Sequence, residues 1–358
     1  MRLSVSSGSH RIGASLLLAL APLVVACGSK TSDTPDASST PERESSSHSS
    51  SSSRSGSETQ TSTQSTAMSD PPAKMGVHTT GLSITVGSRT RTYDITIPAK
   101  CDASHLQPIV FIFHGDGGKG ADMYGAAFPI ETAASAAGGE AIFVYPDGTN
   151  ANENGSAWDI YDDPGMYPYT QADPSGNFDV DFFDALLAKL EATECVDTSK
   201  VFITGMSNGG YLSNQLARWR SKVIYGTAPQ SGGPPAGSTT PSNDYAAPNY
   251  CVGTTQPVPA LIIHGSADTV VAPENCQQAA SYWDMANGCA DNAADCSAST
   301  NSLLVPPATS TTPIAPSPCV TSTGCMSGFP VILCEIPGMG HTIWSEAPQT
   351  IWAFFAAH

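Results

Sequence analysis

Val201-Phe202-Ile203-Thr204-Gly205-Met206-Ser207-Asn208-Gly209-Gly210 changes its hydrophobic period partway along. Val201 to Thr204 is a β-branched and aromatic run of strand type. Beyond Ser207, Tyr211, Leu212, Leu216 and Trp219 recur at helical spacing, so strand gives way to helix across that serine. Such an abrupt turn needs small residues on both sides of its apex, where a Cβ would strike neighbouring backbone. Gly205, Gly209 and Gly210 meet that need. The stretch therefore reads as a strained turn that lifts one hydroxyl above the end of a sheet. The same pentapeptide in an ordinary loop would mean little; the strand before it and the helix after it argue against that reading.

A serine hydroxyl is a weak nucleophile at neutral pH unless a histidine takes its proton and a carboxylate holds that imidazole in the right tautomer. Two later apolar runs end in such residues. Pro259 to Ile263 leads into His264-Gly265-Ser266-Ala267-Asp268, and Val331 to Ile336 leads into Pro337-Gly338-Met339-Gly340-His341. The order serine, acid, base with each residue just past a strand is that of a Ser207, Asp268, His341 triad. Duller readings exist for each partner: Asp268 as a helix cap, His341 as a loop histidine. His264 is the nearest rival base, but it lies too close to Asp268 in sequence to serve easily.

Negative charge developing on an attacked carbonyl oxygen needs donors, usually two backbone N–H groups. Asn208 supplies one. The other should follow the strand Ile109 to Phe113, in His114-Gly115-Asp116-Gly117-Gly118, where the amide of either Asp116 or Gly117 is suitable. A carboxylate aimed at the oxyanion would oppose the reaction, so the Asp116 side chain is expected to point away.

The folded region alternates strand-like and helix-like runs. Strands are expected at Leu82–Val86, Thr92–Ile97, Ile109–Phe113, Ala141–Val144, Val201–Thr204, Ile224–Thr227, Ala260–Ile263 and Val331–Ile336. Helices are expected at Ile130–Ala137, Val180–Thr193, Asn208–Arg220, Pro273–Ala286 and Pro348–Ala357. This alternation implies an α/β fold with a mostly parallel central sheet and helices on both faces.

The chain opens with Arg2 and Arg11 and an apolar segment from Ile12 through Ala26, short for a membrane span but suited to an export signal. Leu23-Val24-Val25-Ala26-Cys27 resembles a bacterial lipobox, which implies a signal peptide over 1–26 and lipidation of Cys27. Ordinary signal cleavage with Cys27 incidental is the alternative. Residues 27–73 are rich in Ser and Thr, with too few apolar side chains to offset ordering entropy, and read as a disordered tether. Residues 74–358 form the catalytic domain. The expected location is the bacterial cell envelope or the extracellular space, with membrane contact only through the lipid.

The 358 residues carry a formal net charge of −17, and the folded part has no basic run. Nucleic acid is thereby disfavoured, and neutral substrates are favoured over anionic ones. Ten cysteines fit an oxidising compartment. With Cys27 set aside an odd number remains, so at least one is free or intermolecular. Their irregular spacing lacks C-x-x-C pairs, which argues against zinc, and no metal or cofactor is required by the triad chemistry. Asp173, Ser175, Asn177 and Asp179 have a partial calcium-loop spacing but no terminal Glu, and read as a solvated loop.

Asp179-Val180-Asp181-Phe182, Val196-Asp197 and the Gly205-Met206-Ser207-Asn208-Gly209-Gly210 string together resemble the poly(3-hydroxybutyrate) depolymerase and feruloyl/acetylxylan esterase family. Tyr93 to Pro98, Phe113-His114-Gly115, Tyr145-Pro146-Asp147-Gly148, His264 to Asp268 and Gly338 to Trp344 fall where that family has its other blocks. The resemblance implies an α/β-hydrolase fold with Ser207 as nucleophile, His341 as base and Asp268 as acid. Trp283 with Asn287-Gly288-Cys289, and Cys325 ahead of Gly328-Phe329-Pro330-Val331, resemble a cysteine pair of that family and imply a Cys289–Cys325 disulfide. Cys101–Cys195 is a second candidate pair. Asp116 and a long segment from Asp291 to Thr323 depart from the family pattern. The expected activity is hydrolysis of a carboxylic ester, whether a polyester, an acylated plant polysaccharide or a small soluble ester. A peptidase or acyltransferase on the same fold, or a catalytically dead surface-binding lipoprotein, are the alternatives.

Overall fold

Ten strands and five α-helices carry the chain in a computed structural model that describes residues 75–149, 156–160, 177–235, 255–289 and 311–358. The expected signal peptide, Cys27, the tether, Cys251 and Cys296 lie outside the described residues. In chain order the elements are β1 (Val77–Val86), β2 (Arg89–Ile97), β3 (Gln107–Phe113), α1 (Ile130–Ala136), β4 (Ile142–Pro146) and α2 (Phe178–Thr193). They continue with β5 (Val196–Met206), α3 (Asn208–Trp219), β6 (Ile224–Gln230), β7 (Ala260–Gly265), α4 (Glu274–Ala286), β8 (Thr311–Pro313), β9 (Cys319–Ser322), β10 (Val331–Ile336) and α5 (Ala347–Ala356).

All ten strands join one sheet in the order β1-β2-β4-β3-β5-β6-β7-β10-β9-β8. From β4 through β10 the neighbours run parallel, while β1, β2, β9 and β8 add antiparallel edges. The parallel strands are apolar on both faces because helices cover both faces. Ile109, Phe111 and Phe113 of β3 share a core with α2, α3 and α4; Val110 and Ile112 share one with α1 and α5. The period of 2 in β3 thus distributes its side chains between two helical layers. Each fully buried aliphatic or aromatic side chain adds about 1.5–3 kcal/mol to stability.

A parallel sheet gathers strand C-termini at one edge. The loops after β3, β5, β7 and β10 therefore emerge together, and every expected triad and oxyanion residue lies on one of them.

The solvated-loop reading of Asn177 and Asp179 is corrected by their burial. Asn177 caps α2, its Oδ1 accepting from the amides of Asp179 and Val180, and Asp179 is ion-paired to Arg91 at 2.6 Å. The antiparallel strands β8 and β9, which the sequence reading did not include, form a hairpin beside β10.

The structure joins Cys101 to Cys195, Cys289 to Cys325 and Cys319 to Cys334. Among the described residues Cys276 remains a thiol; it is buried, and burial pushes its pKa up to about 12, which leaves it unreactive at neutral pH. The Cys101–Cys195 bridge spans a sequence separation of 94 and ties the loop before β3 to the start of β5. Replacing both cysteines by alanine should lower unfolding free energy by roughly 2–5 kcal/mol, read from urea denaturation of the oxidised protein; an unchanged midpoint would refute the bridge.

Candidate active site

Ser207 is the residue between β5 and α3, and its backbone has φ 56° and ψ −118°. A non-glycine residue in this region costs on the order of 1–3 kcal/mol, which the surroundings must offset. They do so by fixing it on both sides. The Ser207 amide donates to Gln230 O of β6 at 2.9 Å, and Ser207 O accepts from Tyr211 N at 3.0 Å. Gly209 sets the approach of α3 to the sheet, since a Cβ there would collide with the Phe113 and His114 carbonyl oxygens at the end of β3.

The glycine-rich loop after β3 lies against this turn: a Cβ on Gly115 would stand 3.5 Å from Ser207 Cβ. His114 is buried and its tautomer is determined by its neighbours. Nε2 accepts from the Gly148 amide at 2.8 Å, so Nδ1 carries the proton and donates to Gly115 O at 2.7 Å. Burial holds the His114 pKa below that of an ordinary histidine, so the imidazole stays neutral. Gly117 N–H donates to Ser156 O at 2.9 Å and is therefore engaged, whereas Asp116 is exposed. Asn208 opens α3, so its amide sits at the positive end of a helix dipole, a favourable place for an oxyanion.

Asp268 and His341, the candidate acid and base, meet through an interlaced pair of turns. Met339 O accepts from the Ala267 amide at 2.9 Å, Ser266 Oγ accepts from the Gly338 amide at 2.8 Å, and Ser266 N donates to Ile336 O at 3.0 Å. Gly265 permits the approach, because a Cβ there would overlap Met339 O. The result is a hydrogen bond of 2.7 Å between His341 Nδ1 and Asp268 Oδ2, across 73 positions of sequence. Asp268 Oδ1 also accepts from the amides of Val270 and Val271, each at 2.9 Å. Burial alone would raise the Asp268 pKa, but the bonds from His341 and these amides outweigh it and hold the carboxyl below an ordinary aspartate.

With Nδ1 bonded to Asp268, His341 has Nε2 to offer the serine. Ser207 and His341 are not hydrogen-bonded to each other here, a looseness common in catalytic sites before substrate binds. His264 is unsuited to be the base. It is fully buried, its Nε2 lies 2.9 Å from Val271 O and 3.4 Å from Asp268 Oδ2, and burial lowers its pKa.

The sequence places Trp158 in an aromatic-containing loop, 151–172, able either to shape a substrate pocket or simply to pack, but it does not disclose the bonds that tie this residue to Asn208 and His114. The Trp158 amide donates to Asn208 Oδ1 at 2.6 Å, Asn208 Nδ2 donates back to Trp158 O at 3.2 Å, and Trp158 Nε1 donates to His114 O at 2.9 Å.

No family model matches the chain. It is 31% identical over 204 residues to a probable feruloyl esterase C of Aspergillus niger, covering 56% of this chain and 63% of that one. It is 29% identical over 229 residues to a probable feruloyl esterase C of Aspergillus terreus, covering 63% and 72%. The alignment thus spans just under two thirds of the Aspergillus niger relative's length. Among solved structures, an acetyl xylan esterase from Aspergillus awamori superposes with TM-score 0.52 at 20% identity, covering 74% of this chain and 94% of that one. A CE1 ferulic acid esterase from Anaeromyces mucronatus superposes with TM-score 0.50 at 17% identity, covering 79% and 92%. These likenesses show an α/β-hydrolase fold.

Gly265→Ala should displace the Met339–His341 turn and lower kcat by about a hundredfold while the fold persists, since small misplacements cost that much; circular dichroism and steady-state kinetics check it. Asp268 also links stability to pH. Its folded pKa lies below the unfolded value of about 3.9, so its contribution is present above that value and is lost as pH falls through the folded pKa. Asp268→Asn should therefore melt below wild type at neutral pH, with the gap closing below about pH 4.

Proposed function

We propose that this chain, a feruloyl- and acetylxylan-esterase-like α/β-hydrolase, is a serine esterase that cleaves carboxylic esters through an acyl-enzyme. The observation that carries the reading is the 2.7 Å bond between His341 and Asp268, at the same sheet edge as a serine held at φ 56°. Ser207 Oγ attacks the ester carbonyl while His341 Nε2 takes its proton. Asp268 keeps Nδ1 protonated and stabilises the imidazolium that forms. The proton then passes to the leaving alcohol. Water, deprotonated by the same nitrogen, releases the acid and restores the serine.

The oxyanion is received by the amide of Asn208 and by one from the glycine-rich loop after β3, that of Asp116 or Gly117, the latter giving up its bond to Ser156 O if it serves. Asp116 is exposed, which favours a carboxylate turned to solvent rather than toward the oxyanion.

Feruloylated or acetylated polysaccharide is the substrate class we favour, because the curated relatives are named feruloyl esterases and the superposing structures are an acetyl xylan and a ferulic acid esterase. Export supports it. Three disulfides suit an oxidising compartment, and the signal peptide over 1–26 with lipidated Cys27 would hold the enzyme at the cell envelope on the 27–73 tether.

Purified protein should hydrolyse p-nitrophenyl acetate and methyl ferulate, and Ser207→Ala should lower kcat on both by roughly three or more orders of magnitude. Near wild-type turnover by the variant would assign the chemistry to another group.

A further inference from the structure

A charged pair is buried where the proposed reaction makes no use of it. Arg91 and Asp179 are each about 1% exposed and lie 88 positions apart in sequence, yet Arg91 Nη2 donates to Asp179 Oδ1 at 2.6 Å. Arg91 Nε has no partner at all. Removing two such ions from water costs several kcal/mol each before their attraction is counted, and apolar residues of the same volume often serve stability as well or better.

What the pair does is hold a short segment in place. Asp179 Oδ2 accepts from the Asp159 amide at 2.6 Å, and Asn177 Nδ2 donates to Asp159 O at 3.1 Å. Gln215 of α3 bonds Ile160 O through its Nε2. The neighbouring residue, Trp158, is thereby presented to both halves of the oxyanion site. Its backbone is bonded in both directions by the Asn208 side chain, and its indole N–H holds the His114 carbonyl. The indole also packs edge-on to Phe113 at 5.2 Å. Arg91 extends the same grip to Asp147 O at 3.0 Å, next to Gly148, whose amide bonds His114 Nε2.

We propose that Trp158, anchored by the Arg91–Asp179 pair, is the positioning residue that preorganises both oxyanion donors. Fixing the His114 carbonyl fixes the backbone leading into Gly115 and Asp116, and clamping the Asn208 side chain fixes the peptide that carries the Asn208 amide. Donors already aimed at the developing charge need no reorganisation during the reaction, which is where electrostatic catalysis gains most. This inference rests on the reading of Ser207 as an esterase nucleophile.

Trp158→Phe tests it, because phenylalanine keeps a ring against Phe113 but loses the N–H to His114 together with part of the indole's bulk. Active sites are first counted by stoichiometric labelling with a fluorophosphonate, so that turnover refers to competent molecules alone. The kcat for p-nitrophenyl acetate per labelled site should fall about tenfold or more, with KM within about twofold of wild type. The inhibition constant of a boronic acid, which mimics the tetrahedral intermediate, should rise by the same factor. Asp179→Asn should move both quantities in the same direction. Wild-type kcat and boronate affinity in Trp158→Phe would overturn the proposal and leave the segment a packing element; so would a loss confined to KM, which would make Trp158 a substrate wall. If wild-type protein itself neither turns over esters nor takes the label, the esterase reading fails, and this inference falls with it.

Discussion

The candidate site depends first on the close backbone approach of α3 to the end of β3. Gly209 lies against the Phe113 and His114 carbonyl oxygens, and a Cβ on Gly205 would strike Gly209 itself. Any side chain at either place would push the helix outward and release the turn between them. With the helix held this close to the sheet, Ser207 has a backbone conformation that it would rarely adopt alone. The strain is contained by the parallel pairing of β5 with β6, which runs through Met206 opposite Gln230, and by the buried face of α3. The strain at Ser207 and its place at the N-terminus of α3 go together with this one steric fact.

Much of this was legible because local patterns encode it. Periods of 2 and 3.6 distinguish β5 from α3, and a glycine-flanked serine at their junction has few other uses. The places where Asp268 and His341 stand were readable for the same reason, each lying just past an apolar run. What was not legible lies in pairings between distant segments. Nothing near Arg91 announces Asp179, and charged residues in sequence default to the surface, so Asp179 was expected in a solvated loop. The edge strands β8 and β9 escaped notice because β8 is only three residues long and fully exposed, without an apolar run to mark it. Cys319 and Cys334 face each other across β9 and β10, a register that spacing alone does not disclose.

Two histidines lie within reach of the Asp268 carboxylate, and environment rather than proximity assigns their roles. His264 is enclosed, with Nε2 turned to the Val271 carbonyl and Nδ1 buried without a partner, so that a proton gained there would be costly to keep. His341 is partly exposed and has one nitrogen bonded to the carboxylate and the other available. A group that must gain and lose a proton in each cycle needs access on one side and a fixed counter-charge on the other.

The site is built as two separately secured halves. The acid and base are secured by the interlaced turns after β7 and β10, through Gly265, Ser266 and Met339. On the reading proposed above, Ser207 and the amides offered to the oxyanion are held by the Trp158 segment and the close contact at Gly209. No hydrogen bond joins Ser207 to His341; the halves are linked through the sheet, from β5 through β6 to β7, and through bonds between α3 and α4 such as that of Tyr211 to Asn275. Hydrogen-bonded parallel strands shear reluctantly, which makes them a stiff connector. An ester bound between Ser207 and His341 would then complete an alignment that the protein holds open, and the proton transfer would be defined only when a substrate is present to need it.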